Sequence, residues 1–332
     1  MLLRDLGEWE LLRRLAAYAP PGQLEDDAAI LQPDSGTATA PLVVNTDVLV
    51  EGVHFSDTTM GPADLGWRAA AANLSDLAAT GCGSVVGLTV GLVAPAETPW
   101  AWVAGVYEGL SLALRTYGGQ LLGGDCSGGL QRMLAITALG RIGPGAIRRG
   151  DGQAGDWLVC TGPHGLSRLG LALLQQALAA EHADALSPGL RQRAIEAHRR
   201  PKPRLDAVTA LARSQPPGSP WRVGGTDSSD GLAAAVKAIA ATSGCGALLE
   251  RNQLPIDPEL AQLEPGERWC LGGGEDFELV LALPPSWAEA LLGALSGTSR
   301  IGRLVEAVPG LLRWQESGEA LAAAEQGFMH YR

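Results

Sequence analysis

The chain has 332 residues, of which 46% are hydrophobic and 18% charged, and a formal net charge of −11 at pH 7. This composition is typical of a folded globular protein and excludes a disordered chain. The acidic balance also disfavours a nucleic-acid partner, which needs clustered lysine and arginine. Lys202 and Lys237 are the only lysines and no GxxxxGK[ST] run occurs, so phosphate chemistry here has to use metal ions, arginines and backbone N–H groups.

The first half of the chain alternates helical and strand-like segments. Helices are predicted at 7–18, 64–80 and 99–116, and strands at 41–55, 85–93 and 133–142. The pattern is clearest for the helix at 64–80, where Asp64 is expected to cap the first turn and Gly81 to end the last one.

The second half continues the alternation, so the predicted fold class is α/β throughout. Its predicted elements are a strand at 156–161, a helix at 165–180, a polar segment with helical pieces at 181–220, a helix at 230–242 and a buried strand at 277–283. Asp230 is expected to begin its helix, as a cap, a ligand or both. A composition shift near residue 150 (RRGDGQAGD) predicts two domains, 1–150 and 151–332.

The cysteines and the hydropathy pattern indicate the cellular environment. Five cysteines are scattered without CxxC spacing, which favours free thiols over disulfides or a zinc site. No run of 18 or more apolar residues occurs, so no membrane partner is expected. We therefore expect a cytoplasmic protein. Four histidines are expected at the surface or in loops: His164, His182, His198 and His330.

Six short motifs combine acidic residues with glycine or small polar residues. They are DD at 26–27, NTD at 45–47 followed by EGVHF at 51–55, NLSD at 73–76, GGD at 123–125, DSSDG at 227–231 and GGGED at 272–276. A single motif of this kind is usually a turn or a helix cap. Gathered together, however, the carboxylates suit Mg²⁺, which prefers oxygen ligands, and the glycines let a nucleotide approach the main chain.

The ordered set resembles the thiamine-monophosphate kinase family, within the superfamily that includes aminoimidazole ribonucleotide synthetase and selenophosphate synthetase. The most specific pieces are NTDVLVEGVHF, NLSDLAATG, LLGGD, TDSSDGL and GGGEDFEL, and the resemblance runs from DDAA at 26–29 to GFMHY at 327–331. It implies a two-domain PurM-like fold of the α/β (α+β) class. An N-terminal domain with a mixed sheet would bind ATP and Mg²⁺ and pair with a second subunit. A C-terminal α/β domain would complete the substrate site.

The resemblance also implies roles for individual residues. Several Mg²⁺ ions would be held by Asp27, Asn45, Thr46, Asp47, Asp76, Asp125, Asp227 and Asp230. ATP would contact Tyr107, Gly124, Asp125, Arg149 and Ser229. Thiamine monophosphate would contact His54, Glu275 and Phe328. Asp47, Asp125 and Arg149 would stabilise charge in the transition state, and no residue would act as a covalent nucleophile.

The implied reaction is direct in-line transfer of the γ-phosphoryl group of ATP to thiamine monophosphate in a homodimer. Two positions depart from the family pattern: Glu25 stands where glycine is usual, and Cys126 where threonine is common. Asn45 stands where the family often has serine or another small polar ligand. Two alternatives remain open, a sister enzyme of the superfamily acting on another substrate and a non-catalytic nucleotide-binding protein. The first is disfavoured by the VEGVHF and GGEDFEL pieces, and the second by the complete set of aspartates.

Overall fold

The computed structural model describes residues 3–22, 24–33 and 40–322. The elements of the first half are α1 (Leu3–Leu15), β1 (Ala29–Leu31), β2 (Leu42–Val50), α2 (Pro62–Ala79), β3 (Cys82–Ala94), α3 (Trp100–Tyr117), β4 (Gln120–Gly128) and β5 (Met133–Ile142). The strands form one sheet in the order β1-β2-β5-β3-β4. It is a mixed sheet, because β3 and β4 are parallel and the other pairs are antiparallel.

One face of this sheet packs against α2 and α3. Side chains of β5 alternate between buried and half-buried positions, with Leu134, Ile136 and Ala138 in the core. The two helices approach closely, because a Cβ at Gly66 would collide with the carbonyl of Val106, and one at Gly109 with the carbonyl of Ala63. Only glycine permits this contact.

The ends of α2 confirm one prediction and correct another. Gly81 follows the helix with φ +89°, the left-handed conformation that ends many helices. The prediction that Asp64 caps the helix is wrong, because Gly61 occupies the N-cap position and Pro62 begins the first turn. Asp64 instead accepts a 2.6 Å hydrogen bond from Nε of Arg200.

The second half forms a six-stranded sheet with helices around it. Its elements are β6 (Trp157–Cys160), α4 (Leu166–Leu174), α5 (Ala180–Ala185), α6 (Pro188–Arg199), α7 (Leu205–Arg213), β7 (Gly224–Asp227), α8 (Leu232–Thr242), β8 (Gly246–Leu249), α9 (Gly266–Gly272), β9 (Leu279–Leu283), α10 (Pro285–Ala294), β10 (Ser299–Val305) and β11 (Leu312–Trp314). The strand order is β11-β8-β10-β6-β9-β7. All five residues of β9 are buried, which confirms the buried strand predicted there.

Two helices of this half differ from the prediction. The helix predicted at 165–180 ends earlier, at Leu174 of α4, and Gln176 just after it has φ +54°. The helix predicted to begin at Asp230 begins at Leu232, with Gly231 as its N-cap, so Asp230 does not cap it.

Contacts from α2 join the two halves. Nε1 of Trp67 donates to the carbonyl of Pro201 at 2.8 Å, and Ser75 reaches Asp227 at the end of β7. His198 on α6 is buried, which corrects the prediction of a surface or loop residue, and His164 lies in a loop but is also buried.

All five cysteines are free thiols, as predicted. Among the described residues, no helix has both the length and the apolar character to cross a bilayer.

Candidate active site

Four buried or half-buried carboxylates meet where the two sheets come together. Oxygens of Asp27, Asp76 and Asp227 lie within 4.8 Å of one another. Burial, followed by neighbouring charges that include Asp227, raises the pKa of Asp27 to about 6. Burial and then Asp27 raise the pKa of Asp47 to about 6, and burial and then Asp47 raise that of Asp76 well above its usual value. We call these four residues the acidic cluster.

Short hydrogen bonds fix the carboxylates of the acidic cluster. The hydroxyl of Ser75 donates to Oδ2 of Asp227 at 2.6 Å, and that of Ser229 donates to Oδ1 at 3.0 Å. The hydroxyl of Thr226 donates to Oδ1 of Asp27 at 2.8 Å. The sequence motifs did not predict a role for Ser75 or Thr226, although each residue stands beside a predicted ligand.

Arg149 supplies a positive charge beside the acidic cluster. Its guanidinium forms an ion pair with Asp27, and its backbone N–H donates to Oδ1 of Asp26 at 2.9 Å. The residue begins a short 3₁₀ helix, Arg149–Asp151, in the connection between the two sheets. One guanidinium against four carboxylates leaves a large excess of negative charge.

The donor set of the acidic cluster fits a hard divalent cation. All of its ligand atoms are oxygens, which Mg²⁺ prefers. Asn45 adds a further observation: its Nδ2 donates to Asp76 at 2.7 Å, while its buried Oδ1 has no hydrogen-bond partner. A buried, unsatisfied carbonyl oxygen is costly, and a nearby cation or its hydration shell would satisfy it.

Replacement of Ser75 by alanine tests how far the hydrogen bonds of the acidic cluster control cation binding. Ser75 is fully buried and orients Asp227, so we expect Ser75→Ala to weaken Mg²⁺ or Mn²⁺ binding by about 10- to 100-fold, as for other residues that support metal ligands. Calorimetric titration measures the affinity. Ser187→Ala is the matched control, because Ser187 caps α6 by accepting from the N–H of Leu190. Equal affinities in the two variants would contradict the role of Ser75.

A cavity of about 700 Å³ lies next to the acidic cluster. It is bounded by β2, α2, α4 and the loop that follows α9. Its lining includes six of the residues singled out from the sequence: Thr46, Asp47, His54, Ser229, Asp230 and Glu275. Motifs from both halves of the chain therefore meet at one cavity.

Glu275 is held at this cavity by a fully buried arginine. Its backbone has φ +61°, and its N–H donates to the carbonyl of Ser229 at 2.6 Å. Arg68 of α2, whose side chain is 2% exposed, forms an ion pair with the Glu275 carboxylate and donates to the carbonyl of His198. Burial acts to raise the pKa of Glu275, but the charge of Arg68 outweighs it and the pKa is lowered.

The role of Arg68 was missed in the sequence. A single signal was available, because Arg68 lies three residues after Leu65 and one before Ala69 on the inward face of α2, where a charge is unusual. The partner of such a charge lies more than two hundred residues away in the sequence, so the pattern could not identify it.

Three of the predicted site residues that the structure describes lie apart from the acidic cluster and do not line the cavity. Gly124 and Asp125 lie on the exposed edge strand β4, and Tyr107 is half-buried on α3. Burial, and then the nearby Cys126, raise the pKa of Tyr107, so α3 and β4 are neighbours there. Phe328 lies outside the described residues.

The chain is similar to known proteins over most of its length. The family model described as AIR synthase related protein, N-terminal domain, matches residues 25–142, and the corresponding C-terminal model matches residues 153–311. A thiamine-monophosphate kinase of Synechococcus elongatus is 48% identical over 99% of this chain and 98% of its own length. The Escherichia coli K12 kinase is 34% identical over 98% of both chains.

Solved structures give the same result. The structure of AaThiL complexed with AMPPCP and TMP has a TM-score of 0.84 and 26% identity, and the match covers 99% of both chains. A thiamine-monophosphate kinase from Stenotrophomonas maltophilia has a TM-score of 0.73 and 30% identity, over 94% of this chain and 96% of that one. The chain belongs to the thiamine-monophosphate kinase family, within the PurM-like superfamily.

Proposed function

We infer that this protein is a kinase that transfers the γ-phosphoryl group of ATP to thiamine monophosphate and forms thiamine diphosphate. The observation that carries this function is the acidic cluster beside a cavity lined by His54 and Glu275, in a chain whose relatives are named for this activity. AaThiL binds AMPPCP and TMP in one complex, and AMPPCP is an ATP analogue.

Several Mg²⁺ ions are proposed as the resident metal. Their ligands would come from the acidic cluster together with Asn45, Thr46 and Asp230, and Asp125 would add a carboxylate from β4. When bound, Mg²⁺ would neutralise charge between the donor and acceptor phosphates. The unsatisfied Oδ1 of Asn45 supports this proposal.

The residues of the chain mainly bind and orient the two substrates. Ser229 and Arg149 would contact the phosphates of ATP, and Arg149 would place positive charge beside them. Glu275, kept ionised by Arg68, would pair with a polar group of the aminopyrimidine, and His54 and Phe328 would contact the same substrate. The acceptor is already an anion, so the transfer is proposed as direct and in-line, without a general base or a phosphoenzyme.

A homodimer is proposed because β4 is an exposed sheet edge. All nine residues of β4 are exposed, and Leu121 and Leu122 are 45% and 44% exposed. Such an edge is a template for pairing with another chain. Pairing would also place Gly124 and Asp125 at the boundary between subunits, together with the ATP contact proposed for Tyr107.

Light scattering tests the dimer. We expect a mass near twice 34.4 kDa for the wild-type protein, and a lower apparent mass for Leu121→Lys, which places a charge on the edge strand. The matched control is Leu130→Lys, because Leu130 is fully exposed beyond the end of β4. A wild-type mass near 34.4 kDa at micromolar concentration would rule out the proposed dimer.

Two further proposals concern domains and location. A division near residue 150 is supported by the gap between the two sheets, since β5 ends at Ile142 and β6 begins at Trp157. A cytoplasmic location is supported by five free thiols and by the dependence of the proposed reaction on ATP.

The function is tested by ADP release from purified protein with ATP and Mg²⁺. We expect release only when thiamine monophosphate is present, with thiamine diphosphate detected by chromatography. Consumption of ATP with another phosphorylated metabolite, but not with this one, would assign the chain to a sister activity. Binding of ATP without release of ADP under any of these conditions would identify a non-catalytic protein.

A further inference from the structure

The cavity contains two arginines that differ in how their charge is balanced. Arg68 forms its ion pair with Glu275. Arg168 of α4 also lines the cavity and is half-buried, and its guanidinium lies 5.9 Å from the ring centre of Trp269. Within residues 3–22, 24–33 and 40–322, no carboxylate forms an ion pair with Arg168, and its side chain makes no hydrogen bond. Among the described residues, Arg168 therefore has no carboxylate partner at the cavity, in contrast to Arg68.

The surroundings hold Arg168 in place. A Cβ added at Gly273 would lie 2.9 Å from Cβ of Arg168, so the base of the side chain packs directly on the backbone of the 272–275 loop. The loop also carries Glu275, which has a proposed contact with thiamine. Burial, and then charges that include Arg68 and Arg168, lower the pKa of His198 to about 4, so this histidine adds no positive charge at neutral pH.

Thiamine monophosphate presents a phosphate that has to enter a cavity lined by Asp47, Asp230 and Glu275. A phosphate approaching these carboxylates is repelled unless a cation accompanies it. A guanidinium suits this task, because its planar set of donors matches two phosphate oxygens and its charge is permanent. Arg149 forms an ion pair with Asp27 of the acidic cluster. Arg168, by contrast, extends from α4 and packs against the backbone of Gly273.

We propose that Arg168 binds the phosphate of thiamine monophosphate and makes the site select the phosphorylated acceptor over thiamine. This inference rests on the proposed function and adds a specificity-determining residue to it. Arg168 donates hydrogen bonds to the non-bridging phosphate oxygens and takes no part in the bonds that form or break. Its contribution is therefore to the affinity for the acceptor rather than for the nucleotide.

The test measures the affinities of wild-type protein, Arg168→Gln and Arg168→Lys for thiamine monophosphate, thiamine and AMPPCP. We expect Arg168→Gln to weaken binding of thiamine monophosphate by roughly 10- to 100-fold, as for loss of a charge-assisted hydrogen-bonded pair, and Arg168→Lys to retain part of the affinity. Affinities for thiamine and for AMPPCP stay unchanged. In turnover the KM for thiamine monophosphate rises by a similar factor, while kcat changes little.

Arg193→Gln is the matched control, since Arg193 lies on α6 and pairs with Asp257 outside the cavity lining. A melting temperature for each variant separates a local effect from unfolding. Equal loss of thiamine and thiamine monophosphate binding would overturn the proposal, as would weaker AMPPCP binding alone or unchanged affinity for all three ligands. If the wild-type protein makes no thiamine diphosphate, the proposed function itself fails. The binding comparison between wild-type protein and Arg168→Gln then still shows whether Arg168 binds the phosphate group of thiamine monophosphate.

Discussion

Asp47→Asn is expected to lower kcat by at least about 100-fold while the fold stays intact, the size of effect seen when one group that stabilises transition-state charge is removed. Asp47 lines the cavity and lies close enough to Asp27 for their charges to interact. Asparagine keeps the size of the side chain but removes one negative oxygen ligand. Steady-state rates of ADP release measure the change over a range of Mg²⁺ concentrations.

The metal-free Asp47→Asn protein is expected to melt no lower than the wild type, because one of four neighbouring negative charges is gone. Asp184→Asn is the control, since the Asp184 side chain is 83% exposed on α5. Near-normal turnover of Asp47→Asn with an unchanged Mg²⁺ requirement would show that Asp47 is not a ligand of the catalytic Mg²⁺.

Arg68→Met is expected to lower the free energy of unfolding by about 2–4 kcal/mol, because it leaves the Glu275 carboxylate without its cation. The expected loss is below that of a wholly buried pair, since the Glu275 side chain keeps 35% of its surface exposed. The variant also loses the hydrogen bond to the carbonyl of His198. Urea denaturation measures the change.

A double variant separates charge from packing at this position. Arg68→Met/Glu275→Gln removes both charges, so we expect it to regain part of the lost stability, although the Glu275 contact with substrate is lost. Arg204→Met, which breaks the half-buried ion pair with Glu278, is the comparison for general destabilisation. Arg68→Met protein as stable as the wild type would show that Arg68 does not support Glu275.

The elements that carry the site were largely predictable from the sequence. The β-branched run of β2 and the helical pattern of α2 placed Asp47 and Asp76 on adjacent elements, and the apolar run of β9 predicted a buried strand. The sequence grouped the aspartates as possible metal ligands, and the structure brings Asp27, Asp76 and Asp227 together. Their binding of Mg²⁺, which prefers oxygen ligands, stays a prediction.

Other features depend on contacts that a local pattern does not carry. Aspartate often caps helices, but α2 already begins at Pro62, before Asp64. The Asp64 carboxylate instead accepts a hydrogen bond from Arg200. The chain leaves the helical conformation after α4, at Gln176, which has a positive φ. Glutamine seldom adopts this conformation, and without a glycine at this position the sequence did not indicate a helix end. Gly124 and Asp125 are predicted to contact the nucleotide, but they lie on β4, an exposed edge strand. In the proposed dimer this edge would pair with a second subunit.

Direct phosphoryl transfer between the two substrates is tested by turnover with ATP labelled in its γ-phosphate, thiamine monophosphate and Mg²⁺. We expect the label to appear in the terminal phosphate of thiamine diphosphate, with one labelled product for each ADP formed, and no labelled protein to accumulate. Label released as inorganic phosphate, or trapped on the protein, would contradict direct transfer between the two substrates.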